Sequence, residues 1–349
     1  MKILEKKSLL DILKTWAREY HLLCPSKTGP GDIIFDTFNE NTFTADYKKP
    51  HLPPKSSFLP HTQKIFEVEN SEYRMVESHE KKLLFGIRAC DMMGIRQSTS
   101  FMTRDLVDPY YSRRIDSTLC VVMACRGPQS ETCFCTTTRS GPWAESGFEL
   151  QFFDMGDFFL VESGSERADA LLDNSLFSEA DEISTKDQLD AWKKSSSESI
   201  PEIPQVNQAM SMLKDRTSNE EIWDYFGSKC IICGGCAFVC PTCTCFNVYD
   251  HISSPANGSR SRSWDACLYA GFTKEASGHN PRGDQGLRLK RRHEHKLLYF
   301  NETDIQDALC GCVGCGRCSD FCPVHIGTLE VVRTIVDGRT AKAGSTDKS

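Results

Sequence analysis

Cys230, Cys233, Cys236 and Cys240 precede Pro241, and Cys312, Cys315, Cys318 and Cys322 precede Pro323. Both runs read Cys-x2-Cys-x2-Cys-x3-Cys-Pro. Three closely spaced thiolates can wrap three corners of an iron-sulfur cube, and in two-cluster ferredoxins the fourth cysteine of each run ligates the other cube. The crossing rule therefore predicts Cys230, Cys233, Cys236 and Cys322 on one 4Fe-4S cluster, and Cys312, Cys315, Cys318 and Cys240 on a second. The chemistry is single-electron transfer. Gly234 and Gly316 follow the second cysteine of each run, where a tight turn must bring backbone N–H groups close to sulfide without an intervening Cβ. Pro241 and Pro323 stop the ligand loop from continuing as helix.

Paired Cys-x2-Cys also suits structural zinc. A zinc site closes with four ligands from two pairs, so the third cysteine and the Cys-x3-Cys-Pro ending, present twice, go unexplained. A zinc-stabilised interaction module is the alternative from another functional class.

Ten further cysteines complete a total of 18. Cys90 and Cys125 each follow an apolar run where a strand should end, and strand ends and loops are where sites are built. With Cys133 and Cys135 they form a candidate third iron-sulfur site, with Asp91 as a supporting group or substitute ligand. The competing reading is that free cysteines are small buried hydrophobes, which suits Cys24 and Cys120. Cys243, Cys245, Cys267 and Cys310 are assigned to packing or to support of the clusters.

The elements that must position these thiols divide at about residue 200. Ser8 and Asp11 mark a helix start, with Leu9, Ile12, Leu13, Trp16 and Tyr20 on one face. Residues 24–62 read as loops with short strands. Strand-like runs at 82–88, 118–124, 148–154 and 158–162 suggest one mixed sheet. Helical character at 167–173, 186–194 and 206–214 makes the first domain, 1–200, α+β. The serines at 195–199 suggest a linker or exposed loop. From Asn219 onward the elements read as helical. The long interval between Cys240 and Cys312 favours a helical ferredoxin-type domain, 201–337, with a basic insertion at 246–309, over the compact bacterial ferredoxin. Residues 338–349 read as a disordered tail.

The insertion concentrates Arg260, Arg262, Arg282, Arg288, Lys290, Arg291, Arg292 and Lys296. Three readings stand: a solvated face, a docking patch for an acidic partner, and positive charge beside anionic clusters, which raises their reduction potential. His279, His293 and His295 match no metal spacing.

The chain has 349 residues, enough for two cores. Its net charge of −7 argues against general nucleic-acid binding. No apolar stretch reaches the length of a membrane span. Met1-Lys2-Ile3-Leu4-Glu5-Lys6-Lys7 leads into no apolar signal core, so a reducing cytoplasm is expected. No Gly-x-Gly-x-x-Gly opens a helix after a strand, so neither flavin nor NAD is expected in this chain.

Taken in order, several segments resemble one family: Arg88-Ala89-Cys90-Asp91, Asp108-Pro109-Tyr110-Tyr111, Cys133-Phe134-Cys135, Cys240-Pro241-Thr242-Cys243-Thr244-Cys245-Phe246, Ser263-Trp264-Asp265-Ala266-Cys267, Gly278-His279-Asn280-Pro281-Arg282 and the second cysteine run. The chain is similar to the anaerobic sulfite reductase A-subunit family, related to the iron-sulfur β subunits of cytoplasmic sulfhydrogenases. The resemblance implies a non-catalytic relay that carries electrons from a flavin- and NAD(P)-binding diaphorase subunit to a terminal reductase subunit. That terminal protein is a sirohaem sulfite reductase in the first expectation, and a hydrogenase or heterodisulfide reductase in the alternative.

Overall fold

The computed structural model describes residues 1–29, 31–76, 80–300, 305 and 307–338. Of the expected disordered tail, 338–349, all but Gly338 lies outside the described residues.

The strands are β1 (Lys2–Glu5), β2 (His21–Lys27), β3 (Ile33–Thr37), β4 (Thr62–Glu69), β5 (Glu72–Met75), β6 (Lys82–Ile87), β7 (Thr118–Met123), β8 (Leu150–Asp154), β9 (Phe158–Ser163), β10 (Phe177–Glu179), β11 (Phe246–Ser254) and β12 (Asn257–Trp264). The α-helices are α1 (Leu9–Trp16), α2 (Ala89–Thr103), α3 (Pro109–Asp116), α4 (Asp169–Leu172), α5 (Glu182–Ser199), α6 (Gln205–Lys214), α7 (Glu221–Lys229), α8 (Gly235–Phe238), α9 (Gln285–Glu294), α10 (Arg317–Asp320) and α11 (Thr328–Asp337).

An eight-stranded mixed sheet runs β10-β1-β9-β8-β7-β6-β2-β3. The strands β2, β6, β7 and β8 pair in parallel, and the flanking pairs are antiparallel. Every residue of β7 is buried, as a parallel strand covered on both faces must be. Leu83, Phe85 and Val121 face a core with Leu13 and Trp16 of α1. Leu84, Ile87 and Val122 face the opposite core with Met92 and Ile95 of α2. The register shifts between Phe85 and Ile87 at Gly86, whose φ is +81°. This bulge ends the strand directly before Arg88 and Cys90, a placement typical of sites.

Two elements depart from the sequence-based expectation. The serines at 195–199 lie in α5, not in a linker. Buried Ser196 donates to the Cys125 carbonyl at 2.5 Å, and Ser199 closes the last turn onto Ser196 O at 2.7 Å. The insertion is not helical throughout: β11 and β12 form a hairpin that adds to β4 and β5 in a four-stranded antiparallel sheet, β11-β12-β4-β5. Pro255, Asn257 and Gly258 supply the turn chemistry. Arg262 of β12, 3 % exposed, anchors the hairpin through Gln63 Oε1 at 3.0 Å and an ion pair with Asp108. The ferredoxin segment and the N-terminal segment therefore share a sheet.

Candidate iron-sulfur site

The two cysteine runs fold alike. Cys230 ends α7, Gly234 takes a left-handed conformation at φ +72°, and α8 follows. In the second run Gly316, at φ +74°, opens α10. A Cβ on Gly234 would collide with the Tyr269 hydroxyl, and one on Gly316 with Thr132. Both glycines are thus required by backbone conformation and by close approach.

Cys230, Cys236 and Cys322 line one part of a shared core with Cys312. The Cys236 thiol lies within electrostatic reach of Cys318, Cys267 and Cys230. Cys315 faces Cys240 and Cys318. Hydrogen-bond donors aim at the sulfurs: Gln285 Nε2 at Cys230 (3.1 Å), the Ile326 amide at Cys322 (3.4 Å), the Thr328 amide at Cys318 (3.3 Å) and Lys296 Nζ at Cys240 (3.1 Å). All 18 cysteines are free thiols.

Buried cations surround these thiols. Lys296 sits in a π-helical turn, His295–Tyr299, directly after α9. Its ammonium contacts Cys240 Sγ, Thr242 Oγ1 and Gly311 O. Arg292 is 3 % exposed and reaches the Cys236 carbonyl at 3.1 Å, and its buried Nε has no hydrogen-bond partner. Lys55 donates to the carbonyls of Ala237 and Cys243 and lies 4.2 Å from the Trp264 ring centre. None of the three pairs with a carboxylate among the described residues. A buried cation without a counter-charge is costly.

Burial alone would lower the Lys296 pKa, yet the thiols of Cys240, Cys243 and Cys312 raise it. The same opposition, with Cys236 and Cys318 foremost among the thiols, raises that of Arg292. For Lys55 burial wins and the value falls. Cys240 is held well below the ordinary thiol range by the hydrogen bond from Cys243, against burial and assisted by Lys296 and Arg292. An anionic, thiolate-bound cube supplies the missing negative charge, so the donor set and its surroundings fit the group.

The candidate third set occupies one region of the fold. Cys90 opens α2, Cys125 follows β7, and the loop carrying Cys133 and Cys135 packs against them. Cys135 faces Cys125, Cys133 and Cys315, and Cys90 faces Cys315 and Cys135. Arg88 lies beside Cys125 and Cys90, and Lys49 Nζ stands 3.7 Å from Cys133 Sγ. Arg88 stacks 4.0 Å from the Tyr47 ring centre and donates to the carbonyls of Tyr47, Lys48 and Met123. Burial pushes the thiols of Cys90, Cys125 and Cys135 upward. Asp91 gives both carboxylate oxygens to Arg317, at 2.6 and 3.0 Å. It stands as a counter-ion to that side chain and not as a free ligand.

Among the described residues, no three His, Cys, Asp or Glu side chains cluster closely enough to hold one metal ion. The four cysteines without an assigned role fall into contacts of their own. The Cys243 thiol interacts with Cys240 and that of Cys245 with Cys267, and Cys310 points at the Cys312 carbonyl at 3.7 Å. The Cys267 thiol is lowered to about 6, first by the bond from Cys245, then by Arg292, Lys296 and Arg282 against burial.

The basic stretch is divided. Arg292 and Lys296 are turned inward among the thiols. Arg282, Lys290 and Arg291 line a surface groove, and Arg260 pairs with Asp250 on the hairpin. His293 is buried and neutral: Nδ1 donates to Leu289 O at 2.9 Å, and Nε2 accepts from Arg292 at 3.0 Å. The sequence reading missed Lys49, Lys55, Arg88 and Gln285 as partners of the thiols. Each is far in sequence from the cysteine it serves except Arg88, whose place two residues before Cys90 was the one available signal.

Residues 229–326 match the family profile of the 4Fe-4S dicluster domain. Over 302 residues the chain is 29 % identical to sulfhydrogenase 2 subunit beta of Pyrococcus furiosus, covering 84 % of this chain and 85 % of that protein. No solved structure matches the chain. The sequence and site thus define an iron-sulfur protein with a mixed-sheet N-terminal region and a C-terminal dicluster domain. The likeness to a sulfhydrogenase β subunit is consistent with an electron-transfer role and singles out no sulfite reductase.

Proposed function

We propose that this chain is a non-catalytic electron-relay subunit of an oxidoreductase complex. Cys230, Cys233, Cys236 and Cys322 hold one 4Fe-4S cluster, and Cys312, Cys315, Cys318 and Cys240 hold another. Cys90, Cys125, Cys133 and Cys135 are the candidate ligands of a third, with Asp91 kept off it by Arg317. The domains are 1–200 and 201–337, joined through the shared four-stranded sheet. A bound cube takes up and gives back one electron at a time. The chain's own groups set how readily that happens. Lys296 and Arg292 favour the added electron, while Gln285 and the amides of Ile326 and Thr328 spread charge from the sulfurs.

The observation that carries the reading is a set of buried cations with no carboxylate partner among the described residues, packed on the ferredoxin loops: Lys296 on Cys240 Sγ, Arg292 on the Cys236 carbonyl, and Lys55 on the carbonyls of Ala237 and Cys243. A zinc ion on four thiolates is equally anionic, but with bonds of about 2.3 Å it needs thiolates gathered more tightly than a cube does, and it leaves the third cysteine and the Cys-x3-Cys-Pro ending of each run without a role. The zinc-stabilised interaction module is accordingly the weaker reading.

The partners in this reading are a flavin- and NAD(P)-binding diaphorase subunit on one side and a terminal reductase subunit on the other. The sulfhydrogenase likeness favours a hydrogenase-type terminal partner over a sirohaem sulfite reductase, and heterodisulfide reduction is a further form of the same role. That none of the 18 cysteines is in a disulfide suits a reducing cytoplasm. No described helix is long and apolar enough to cross a membrane.

Anaerobic purification with iron and acid-labile sulfide analysis tests the relay. About eight irons are expected for two cubes, or about twelve for three. Colourless protein with stoichiometric zinc overturns it. Assay of the assembled complex for hydrogen oxidation and for sulfite reduction separates the terminal partners.

A further inference from the structure

The two ligand loops make the same turn in opposite surroundings. Ile232 and Gly314 each stand directly before the second cysteine of their run, and both have φ +58°. Over the second run the chain lays its own loop, residues 132–135. The Phe134 amide donates to the Gly314 carbonyl at 2.8 Å, and a Cβ on Gly314 would stand 2.6 Å from the Phe134 carbonyl carbon. Val313 is 2 % exposed and Cys315 8 %.

Over the first run that surface is bare. Ile231 is 60 % exposed and Ile232 42 %, and Cys233 is exposed beside them. From within, the Tyr269 hydroxyl holds the loop by donating to the Cys233 carbonyl at 3.1 Å.

Isoleucine is a poor residue for this position in an isolated chain. A β-branched side chain at positive φ is a genuine outlier, because its Cβ crowds the following carbonyl oxygen. The exposed side chain recovers little of that strain by packing. The second run, whose corresponding surface is covered, uses glycine instead. Strain retained at an exposed apolar loop marks a surface whose compensation lies in another molecule.

We propose that Ile231, Ile232 and Cys233 form the docking surface for a partner protein with a one-electron redox centre of its own. An apolar surface of that protein covers the first run by packing on the Ile231 and Ile232 side chains, where residues 132–135 instead press on the bare backbone of Gly314. This inference rests on the relay reading. The internal counterpart argues for the occupant: the loop over Gly314 carries Cys133 and Cys135 on either side of Phe134, two candidate ligands of a further cluster in the relay reading. A relay closed at one end by its own chain needs the other end open. One electron given up on one side of the docked surface is gained on the other.

The test is photo-crosslinking in the complex assembled in the source cells, with Ile231→p-benzoylphenylalanine in the full chain. The expected product joins this chain to a protein that carries a flavin, haem or metal cofactor. The double variant Ile231→Glu, Ile232→Glu should lose at least tenfold in affinity for that protein while keeping its iron. Ile232→Gly should melt no lower than the wild type. A crosslink to a second copy of this chain, no crosslink in an intact complex, or undiminished association of the double variant overturns the docking surface. So does loss of iron in the double variant, which makes the loop a structural element. Wild-type protein without iron fails the relay reading instead, so the two failures are told apart.

Discussion

Arg317 and Asp91 form a two-pronged ion pair in which neither residue is exposed. Arg317 lies between Cys315 and Cys318 in the second ligand loop, and Asp91 follows Cys90 at the start of α2. The pair joins the ferredoxin loop to the thiol set of the N-terminal region, and Arg317 Nε extends the link to Pro50 O at 2.9 Å. The helix start favours the carboxylate, since its free N–H groups carry partial positive charge.

Asp91→Asn leaves the Arg317 charge buried and unpaired. The expected loss is about 3–5 kcal/mol of stability. Replacing both partners, Asp91→Asn with Arg317→Met, removes the stranded charge and should recover most of that loss, because a buried pair contributes little net stability. Anaerobic thermal unfolding of the three proteins checks this. A single Asp91→Asn variant that melts with the wild type shows that the pair is not the link described.

Lys296→Met removes the ammonium that touches Cys240 while keeping a chain of similar length. The cube on the second run should then become harder to reduce, on the order of 60 mV lower, about one decade in the one-electron equilibrium constant. Lys296→Arg should shift it less. Redox titration followed by EPR reads the change, and an unmoved potential in the methionine variant removes Lys296 from the tuning role.

The central strands were legible because β6 to β9 are short apolar runs with clear boundaries, and α1 because its apolar residues recur at helical spacing. The hairpin β11–β12 was not, since most residues of β11 are exposed and its stability comes from pairing with the distant β4. Its turn signal at Asn257 and Gly258 is present, but it lies among segments whose pattern is helical. At the site, the cysteine spacing exposed the ligand loops. The buried cations were harder: Lys55 approaches Cys243 from well over a hundred positions away, and no local pattern reports such a contact.

Cys135→Ala separates the two readings of the N-terminal thiols. If the four hold a cube, iron should fall by about four atoms per chain, and the spectrum of one cluster should vanish while those of the ferredoxin runs persist. If Cys135 is a small core residue, alanine costs only a modest cavity term and the iron count stays. Iron analysis with low-temperature EPR on the purified variant distinguishes these.

Gly314→Ala tests the seam between the second run and the loop above it. The substitution places a Cβ at φ +58° and 2.6 Å from the Phe134 backbone, so neither the turn nor the neighbour accommodates it without movement. Backbone strain contributes about 1–2 kcal/mol, and displacement of residues 132–135 adds the loss of the hydrogen bond between Phe134 N and Gly314 O. The expected result is a lower melting temperature together with faster amide exchange at Phe134, while exchange at Tyr269 near the first run is unchanged. Equal protection of Phe134 in variant and wild type shows that the two loops are not held together at this glycine.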